Sequence, residues 1–278
     1  MRIDPRLEGR IVTLLLWIIA ALIVAVLVLI VGDVLVNGVG QISWEFLTEV
    51  PRRMGKEGGI YSSIVSTVVL VLLALLIAAP LGVGAAIFLV EYRSEGPFLR
   101  LVRFTTECLA GIPSIIYGVF GYAFFVLYLN LGWSVLSGGL TLSLMVLPII
   151  VRTSEEALIA IPLAYREGSL ALGATRAQTV VRIVLPAALP GILTGVILSA
   201  GRAVGESAAV ILTAGAALGI PRALGDPGRS MSVHLYLLSV EGVSMPRAYA
   251  TGAVLIIAVM VVNLAANWLS AMAGSARG

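Results

Sequence analysis

Two charged residues four positions apart interrupt a long apolar stretch of the chain. Arg202 and Glu206 lie within the run from about Ala187 to Gly215, which is long enough to cross a membrane as a helix. A charge at the centre of such a helix costs about 2.5–3.5 kcal/mol on insertion scales, so a partner or a function is expected for it. A guanidinium presents several donors in one plane, which suits recognition of a tetrahedral oxyanion.

Two interpretations of this pair are open. Positions i and i+4 share a helical face, so Arg202 and Glu206 could neutralise each other and fix the helix against a neighbour, although the order Arg before Glu is the poorer one. Alternatively, Arg202 faces a translocation pathway for an anion, Glu206 holds Arg202 in place, and Ser207 adds a hydroxyl donor.

Composition shows what kind of chain carries this pair. Of the 278 residues, 59% are hydrophobic and only 12% are charged, and the mean hydropathy is +1.06. A soluble globule of this size needs far more polar surface, so an integral membrane protein is indicated, with lipid as its main surroundings. The net charge of +3 gives no reason to expect nucleic-acid binding.

The apolar runs predict an all-α, polytopic membrane protein with six transmembrane helices in a single domain, residues 1–278. The first helix is expected at about 11–32 and the permease core at about 61–270. The run from Cys108 to Val151 is too long for one span, so a turn is expected near Asn130–Trp133. The other predicted spans are 61–90, 112–130, 139–151, 187–215 and 248–269.

Basic residues indicate the orientation. With a cytoplasmic amino terminus, eleven lysines and arginines fall on the cytoplasmic side and six on the other, with Arg202 inside a span. The positive-inside tendency therefore favours both termini in the cytoplasm.

Several kinds of chemistry have no support in the sequence. Cys108 is the one cysteine, and His234, the one histidine, is expected to be a solvated loop residue. No nucleophile and base set or metal-ligand spacing stands out. A G-x4-G-K-[ST] loop is also missing, so any ATP must be hydrolysed by another chain, and no cofactor is expected on this one.

The segment of about 155–186 is polar and lies between two apolar spans on the predicted cytoplasmic side. Prolines 162 and 186 bound it, and its composition predicts a short helix. We expect Tyr165, Arg166 and Glu167 to face a polar surface and Gly173 to allow close approach of a neighbour. An ordinary connector lying on the headgroups, with its arginines meeting anionic lipid, is the alternative.

The spacing in this segment resembles a known motif. Glu167-Gly168-Ser169, three residues, Gly173, nine residues and Ile183-Val184-Leu185-Pro186 are similar to the EAA pattern of importer-type ABC permeases, with Gly168 and Ser169 in place of two alanines. The resemblance implies that this segment couples the permease to an ATPase. The coupling residues that it implies are Tyr165, Arg166, Glu167, Gly168, Ser169, Ala171, Gly173, Ala174, Ile183, Leu185 and Pro186.

Further stretches resemble phosphate-specific ABC transporter permeases of the PstA type. They are FTTECLAGIPSIIYG at 104–118, LPIIVRTSEEAL at 147–158 and RAVGE at 202–206. The resemblance implies the type I importer permease fold in a bacterial inner membrane. It also implies a second, related permease subunit, two ATPase subunits that bind ATP and magnesium, and a periplasmic phosphate-binding protein, with Arg202 and Glu206 in the pathway.

Other functions remain open from the residues themselves. A permease for sulfate or molybdate would use the same coupling motif and also need an arginine. An ion-coupled secondary transporter would use Arg202 and Glu206 in a proton or sodium cycle. A scaffold of a membrane complex would need neither residue for transport.

Overall fold

The computed structural model describes residues 5–92 and 96–275, where regular structure is helical apart from an isolated bridge between Arg52 and Glu57. The helices are α1 (Pro5–Val39), α2 (Trp44–Thr48), α3 (Tyr61–Ile87), α4 (Pro97–Gly111), α5 (Ser114–Gly121), α6 (Val135–Ile159), α7 (Leu163–Ala171), α8 (Arg176–Thr179), α9 (Leu185–Val204), α10 (Ala208–Thr213), α11 (Met231–Val240) and α12 (Met245–Ser275). Three π-helical segments are Phe88–Tyr92 after α3, Tyr122–Tyr128 after α5 and Val180–Val184 before α9.

Within the described ranges, five helical stretches are long and apolar enough to cross a membrane. They are Val12–Val39, Tyr61–Tyr92, Val135–Ile159, Arg176–Val204 and Met245–Ala265. A sixth crossing is obtained if Pro97–Ala110 and Ser114–Tyr128, which meet at an angle of 96°, form one bent span. The all-α class and the six predicted spans are therefore confirmed. The predicted turn is also present, since Asn130 and Gly132 have φ of 54° and 65°.

Several predicted boundaries were wrong. The first helix runs from Pro5 to Val39 rather than over 11–32, and α6 runs over Val135–Ile159 rather than 139–151. Polar and charged residues at the helix ends continue the backbone hydrogen bonding of a helix without continuing the apolar run, so the apolar run underestimates the helix. The predicted fifth span of 187–215 is interrupted, because α9 ends at Val204 and α10 starts at Ala208.

α6 lies at the centre of the helical core. Leu142, Val146 and Ile150 are almost fully buried, and they pack in one cluster with residues of α3, α9 and α10. Small residues allow close approach: a Cβ on Gly195 would overlap Thr153 of α6, and one on Gly191 would lie 2.8 Å from the Ala157 Cβ. Glycines spaced four apart in α9 thus pack against a helix of the same chain.

α1 packs on α12 near one end of both helices. Gly38 has no room for a Cβ, which would overlap the carbonyl oxygen of Tyr249, and the Tyr249 hydroxyl donates to Asp33 at 3.2 Å. Side chains from Val12 to Ile30 are exposed in this chain. α1 therefore presents an apolar surface that is suited to lipid or to another membrane chain.

The loop between α1 and α3 folds onto α11 and α12. The Ser43 hydroxyl caps α2 by accepting the Phe46 amide at 3.1 Å, and Trp44 is exposed. Phe46 is buried against Met231 and Ala250. This loop and the turn at 129–134 define one end of the molecule, called here the outer end; α7 and α8 define the other, called here the coupling end.

His234 is not the solvated loop residue that we expected. It lies in α11, is 1% exposed, and its Nδ1 is 3.4 Å from an amine nitrogen of Arg229. Arg229 is also buried and donates through Nε to the Ala216 carbonyl oxygen at 2.8 Å. Burial first, and then the positive charge of Arg229, lower the pKa of His234 to about 4, so the imidazole is neutral at physiological pH. α11 is not one of the candidate spans.

Candidate functional site

The predicted coupling segment consists of two short helices rather than one. α7 ends at Ala171, and the chain turns through Gly173, whose φ is +85°. The Gly173 amide donates to Leu170, and the Ala174 amide donates to Ser169, at 3.0 and 3.2 Å. This pair of bonds is a Schellman motif, in which glycine is favoured because only it adopts positive φ without strain.

A capping box begins the second piece. The Thr175 hydroxyl accepts the Gln178 amide, and the Gln178 side chain accepts the Thr175 amide, so two otherwise unpaired donors of α8 are satisfied. The π segment Val180–Val184 then leads into α9 without a break. Gly173 thus serves the turn, and within this chain a Cβ there would meet nothing within 4 Å; close approach of a partner protein at Gly173 stays a prediction.

The residues assigned to coupling divide by exposure. Half-buried positions are Arg166, Ala174, Ile183, Leu185 and Pro186, and Ser169 is buried. Exposed positions are Tyr165, Glu167, Gly168, Ala171 and Gly173. Leu163 and Leu172 join them, with 64% and 91% exposure. α7 therefore offers an apolar surface with one carboxylate to whatever lies beyond the coupling end.

Arg166 does not face the polar surface as predicted. Its Nε and one amine nitrogen donate to the Glu91 carboxylate at 3.0 and 2.8 Å, and the two side chains are only 16% and 7% exposed. Its amine nitrogens also donate to the carbonyl oxygens of Leu158 and Ile161 at 2.8 and 2.7 Å. The sequence did not indicate Glu91 as the partner of Arg166, because Glu91 lies 75 positions away at the end of an apolar run.

Ser169 has an internal role. Its hydroxyl lies 2.9 Å from that of Thr179, and both side chains are buried. The serine that occupies an alanine position of the motif therefore ties α7 to α8, where an alanine could not make this hydrogen bond.

Arg202 lies in the last turn of α9 and is exposed in this chain. Gly191 opposes Ala157 and Gly195 opposes Thr153 across the antiparallel α9 and α6, so the register places Arg202 roughly opposite the middle of α6. Among the described residues, the ion pairs do not include Arg202. Its charge interacts with Tyr117 of α5. Arg202 is thus a cation at mid-membrane depth, at the end of an interrupted helix.

Glu206 lies beyond the end of Arg202's helix and forms no ion pair with Arg202 among the described residues, so the structure does not support the interpretation of a self-neutralising pair on one helical face. Its Oε1 instead accepts the Ala209 amide at 3.1 Å, which satisfies a donor at the start of α10. Its carbonyl oxygen accepts the Ser232 hydroxyl at 2.7 Å. Ser207 occupies the position before α10, but its side chain makes no capping bond. Glycine at position 205 makes the interruption possible, because it is a weak helix former.

A second group of charges lies between α4 and α6 near the coupling end. Arg103 donates through Nε to Glu155 at 2.7 Å, and Arg152 pairs with Glu107 at 3.3 Å and with Glu156 at 3.2 Å. These residues line an open pocket of about 230 Å³. Glu155 is the most buried of them at 9% exposure. The pairing across two helices fixes the bend between α4 and α5 against α6.

Related proteins identify the family of this chain. A probable ABC transporter permease protein, YqgI of Bacillus subtilis (strain 168), is 34% identical over 97% of each chain. A phosphate transport system permease protein, PstA of Mycobacterium leprae (strain TN), is 36% identical over 74% of this chain and 69% of its own.

Solved structures show the same fold. A bacterial alginate ABC transporter, in complex with a periplasmic protein bound to an alginate pentasaccharide, superposes with a TM-score of 0.65 at 17% identity, covering 95% of this chain and 93% of the other. An inward-facing MetNI methionine ABC transporter superposes with a TM-score of 0.60 at 22% identity, covering 77% of this chain and 94% of the other. These structures confirm the type I importer permease fold. Residues 78–275 match the family described as binding-protein-dependent transport system inner membrane component, and the chain therefore belongs to that family.

Proposed function

We propose that this chain is a membrane-spanning subunit of an ATP-driven importer of inorganic phosphate. The observation that carries the proposal is the place of Arg202: an exposed cation at mid-membrane depth, beside the interruption between α9 and α10. A guanidinium there needs a counter-charge, and a phosphate oxyanion matches its planar donor set. The relatives named as phosphate transport permeases support the choice of phosphate.

The pathway proposal changes the role of Glu206. Because its carboxylate caps α10, Glu206 keeps the helix interruption in shape rather than restraining Arg202 directly. Ser207 and the Tyr117 hydroxyl lie near the same break and are further candidates to contact the anion. Arg202 remains the principal binding group, because it supplies the charge.

ATP is hydrolysed by a separate subunit that receives α7. The exposed apolar side chains of Leu163, Tyr165 and Leu172 are the supporting observation, since a surface of this kind is suited to a protein partner. The complete importer would contain a second related permease, two ATPase subunits carrying ATP and magnesium, and a periplasmic phosphate-binding protein. Both termini and the coupling end would face the cytoplasm of a bacterial inner membrane.

Reconstitution of the complex tests the proposal. The chain is co-expressed with candidate ATPase, partner permease and binding-protein genes, and the purified complex is placed in liposomes containing ATP. We expect ATP-dependent uptake of radiolabelled phosphate that excess sulfate or molybdate does not compete with. Uptake of sulfate or molybdate instead would assign another oxyanion, and uptake without any ATPase subunit would overturn the importer mechanism.

A separate labelling experiment tests the orientation. In a Cys108→Ser background, a cysteine at exposed position 172 should react with an impermeant maleimide only after the cells are opened, whereas one at position 54 should react in spheroplasts. The reverse pattern would place α7 outside the cell, where it could reach no ATPase.

A further inference from the structure

The coupling segment is attached to the end of α3 as well as to its own helix α9. The π segment after α3 ends in Glu91 and Tyr92. Glu91 binds Arg166 of α7, and the guanidinium of Arg176 in α8 lies 5.9 Å from the centre of the Tyr92 ring. Two adjacent residues of α3's extension therefore contact one arginine from each helix of the coupling segment.

Arg166 joins three elements through one rigid group. Its guanidinium makes four hydrogen bonds: two to Glu91 after α3, one to the Leu158 carbonyl oxygen in the last turn of α6, and one to the Ile161 carbonyl oxygen two residues beyond the end of α6. The last carbonyls of a helix lack intrahelical partners and carry partial negative charge, so they are good acceptors for an arginine. The five donors of the Arg166 guanidinium lie in one plane, so its bonds fix the relative positions of the π segment after α3, the end of α6, and α7.

Burial makes this ion pair different from the exposed ones. The Arg166 and Glu91 side chains are 16% and 7% exposed, whereas those of Arg53 and Glu57 in the outer loop are 76% and 52% exposed. An exposed pair contributes little because water screens it. Removing one partner of a buried pair leaves an uncompensated charge, so α7 cannot leave α3 without a large energetic cost.

The covalent route from α7 to the membrane is less direct. α7 reaches α9 through the Gly173 turn, α8 and the π segment Val180–Val184. The Gly173 turn is the non-helical joint of this route, and the hydrogen bond between Ser169 and Thr179 spans it, whereas α8, the π segment and α9 form one continuous helical stretch, Arg176–Val204. A force applied to α7 by an ATPase would therefore reach α3 and α6 directly through Arg166, as well as α9 through the chain.

From these contacts we infer that Glu91 and Arg166 are positioning residues that make α3 and α6 move together with the coupling helix during the transport cycle. This inference rests on the proposed function for the existence of an ATP-driven cycle. It adds that nucleotide-driven motion enters the helical core through a buried ion pair on α3 and not only through the chain connection to α9. α6 contributes Val146 to the buried core cluster. In the packing of α9 against α6, Val146 lies at about the same level as Arg202.

The test uses the complete complex in liposomes, with Glu91→Gln and Arg166→Lys as the variants. Glutamine keeps the size but removes the charge, and lysine keeps the charge but cannot form the forked set of bonds. Glu57→Gln is the matched control, since it removes the carboxylate of an exposed arginine pair. Two quantities are measured per assembled complex: the phosphate transported per ATP hydrolysed, and, in a Cys108→Ser background, the distance between spin labels at Ala164→Cys in α7 and Leu76→Cys in α3, with and without trapped nucleotide.

We expect Glu91→Gln and Arg166→Lys to lower the phosphate transported per ATP by roughly tenfold, as for the loss of a charge-assisted hydrogen bond, while ATP hydrolysis continues. The distance from α7 to α3 should stay constant through the cycle in the wild type and change on nucleotide binding in both variants. A wild-type transport ratio and a constant distance in the variants would overturn the inference, as would a distance that already changes in the wild type. If a variant fails to assemble, Glu91→Asp is used in its place. The transport ratio and the distance from α7 to α3 then test the inference in the same way.

Failure of the proposed function gives a different result. If the wild-type complex does not transport phosphate, that assignment is wrong, yet the distance measurement still reports whether α7 and α3 move as one body. If the wild type transports phosphate and the variants do so equally well, only the positioning role is wrong.

Discussion

Arg202 and Glu206 are four residues apart in the chain, but Arg202 lies in α9 whereas Glu206 lies in the break between α9 and α10. Arg202 lies in the last turn of α9, and Glu206 follows the interruption at Gly205 and accepts the Ala209 amide at the start of α10. Glu206 is therefore a helix cap. Arg202 is exposed in this chain at about the level of the middle of α6, and the ion pairs among the described residues do not include it.

The cap and the ion-pair interpretations of Glu206 predict different mutant behaviour. Glu206→Gln keeps an acceptor oxygen for the Ala209 amide, so we expect a near-normal thermal midpoint for the purified complex. Glu206→Ala removes the acceptor and should destabilise the protein by about 1 kcal/mol, the usual cost of a lost cap. Equal destabilisation by both variants, measured by thermal unfolding in detergent, would show that the charge matters and that the cap does not.

Replacing Arg202 separates a pathway role from a structural one. Arg202→Leu should abolish phosphate uptake with near-normal protein in the membrane, because leucine is fully compatible with a membrane helix and cannot bind an anion. Arg202→Lys keeps the charge without the planar fork and should retain partial uptake. The matched control is Arg222→Leu in the outer-end loop, for which uptake should be unchanged. Wild-type uptake by Arg202→Leu would remove this residue from the pathway.

The two glycines of the coupling segment should respond in opposite ways to alanine. Gly173 has φ of +85°, where a side chain costs about 1–2 kcal/mol, so Gly173→Ala should distort the turn and lower uptake per ATP. Gly168 lies within α7, and a Cβ there would meet nothing within 4 Å. Gly168→Ala should therefore stabilise the helix by about 0.5–1 kcal/mol. Thermal midpoints and uptake of both variants check this, and a neutral Gly173→Ala would contradict the requirement for positive φ.

Burial of His234 predicts a specific pH dependence. Its pKa is about 4 in the folded protein and about 6.5 in an unfolded chain, so the unfolded state binds the extra proton between these values. The stability present above pH 6.5 should be lost progressively as the pH falls towards 4. Thermal midpoints between pH 7.5 and pH 4.5 should fall less steeply for His234→Gln than for the wild type, and parallel declines would contradict the assignment.

Much of the fold could be predicted because the membrane imposes it. Apolar runs of sufficient length predict spanning helices, and residues that adopt positive φ readily predict a turn, as at Asn130 and Gly132. The boundaries of α1 and α6 were wrong because polar residues near a membrane surface continue a helix without continuing the apolar run. The fifth span was wrong for the opposite reason, since Gly205 interrupts a stretch that stays mostly apolar.

The site was only partly predictable. The spacing from Glu167 to Pro186 indicated the coupling segment, and the structure places five of its eleven predicted residues on the surface. Glu91, which holds Arg166, could not be found, because nothing in a single sequence connects residues 75 positions apart. The prediction that His234 is solvated was wrong, because polar neighbours in the sequence do not show whether another loop buries the side chain.

By itself, the sequence determined that this protein is a helical membrane protein with a charged segment whose spacing resembles the EAA motif, since hydrophobic length and motif spacing are properties of the chain alone. Only the tertiary structure decided what each charge contacts. Ion pairs and helix caps depend on distances between segments that are brought together by packing, so Arg166 turned inward to Glu91, Glu206 became a cap, and Arg202 was left exposed at the centre of the membrane.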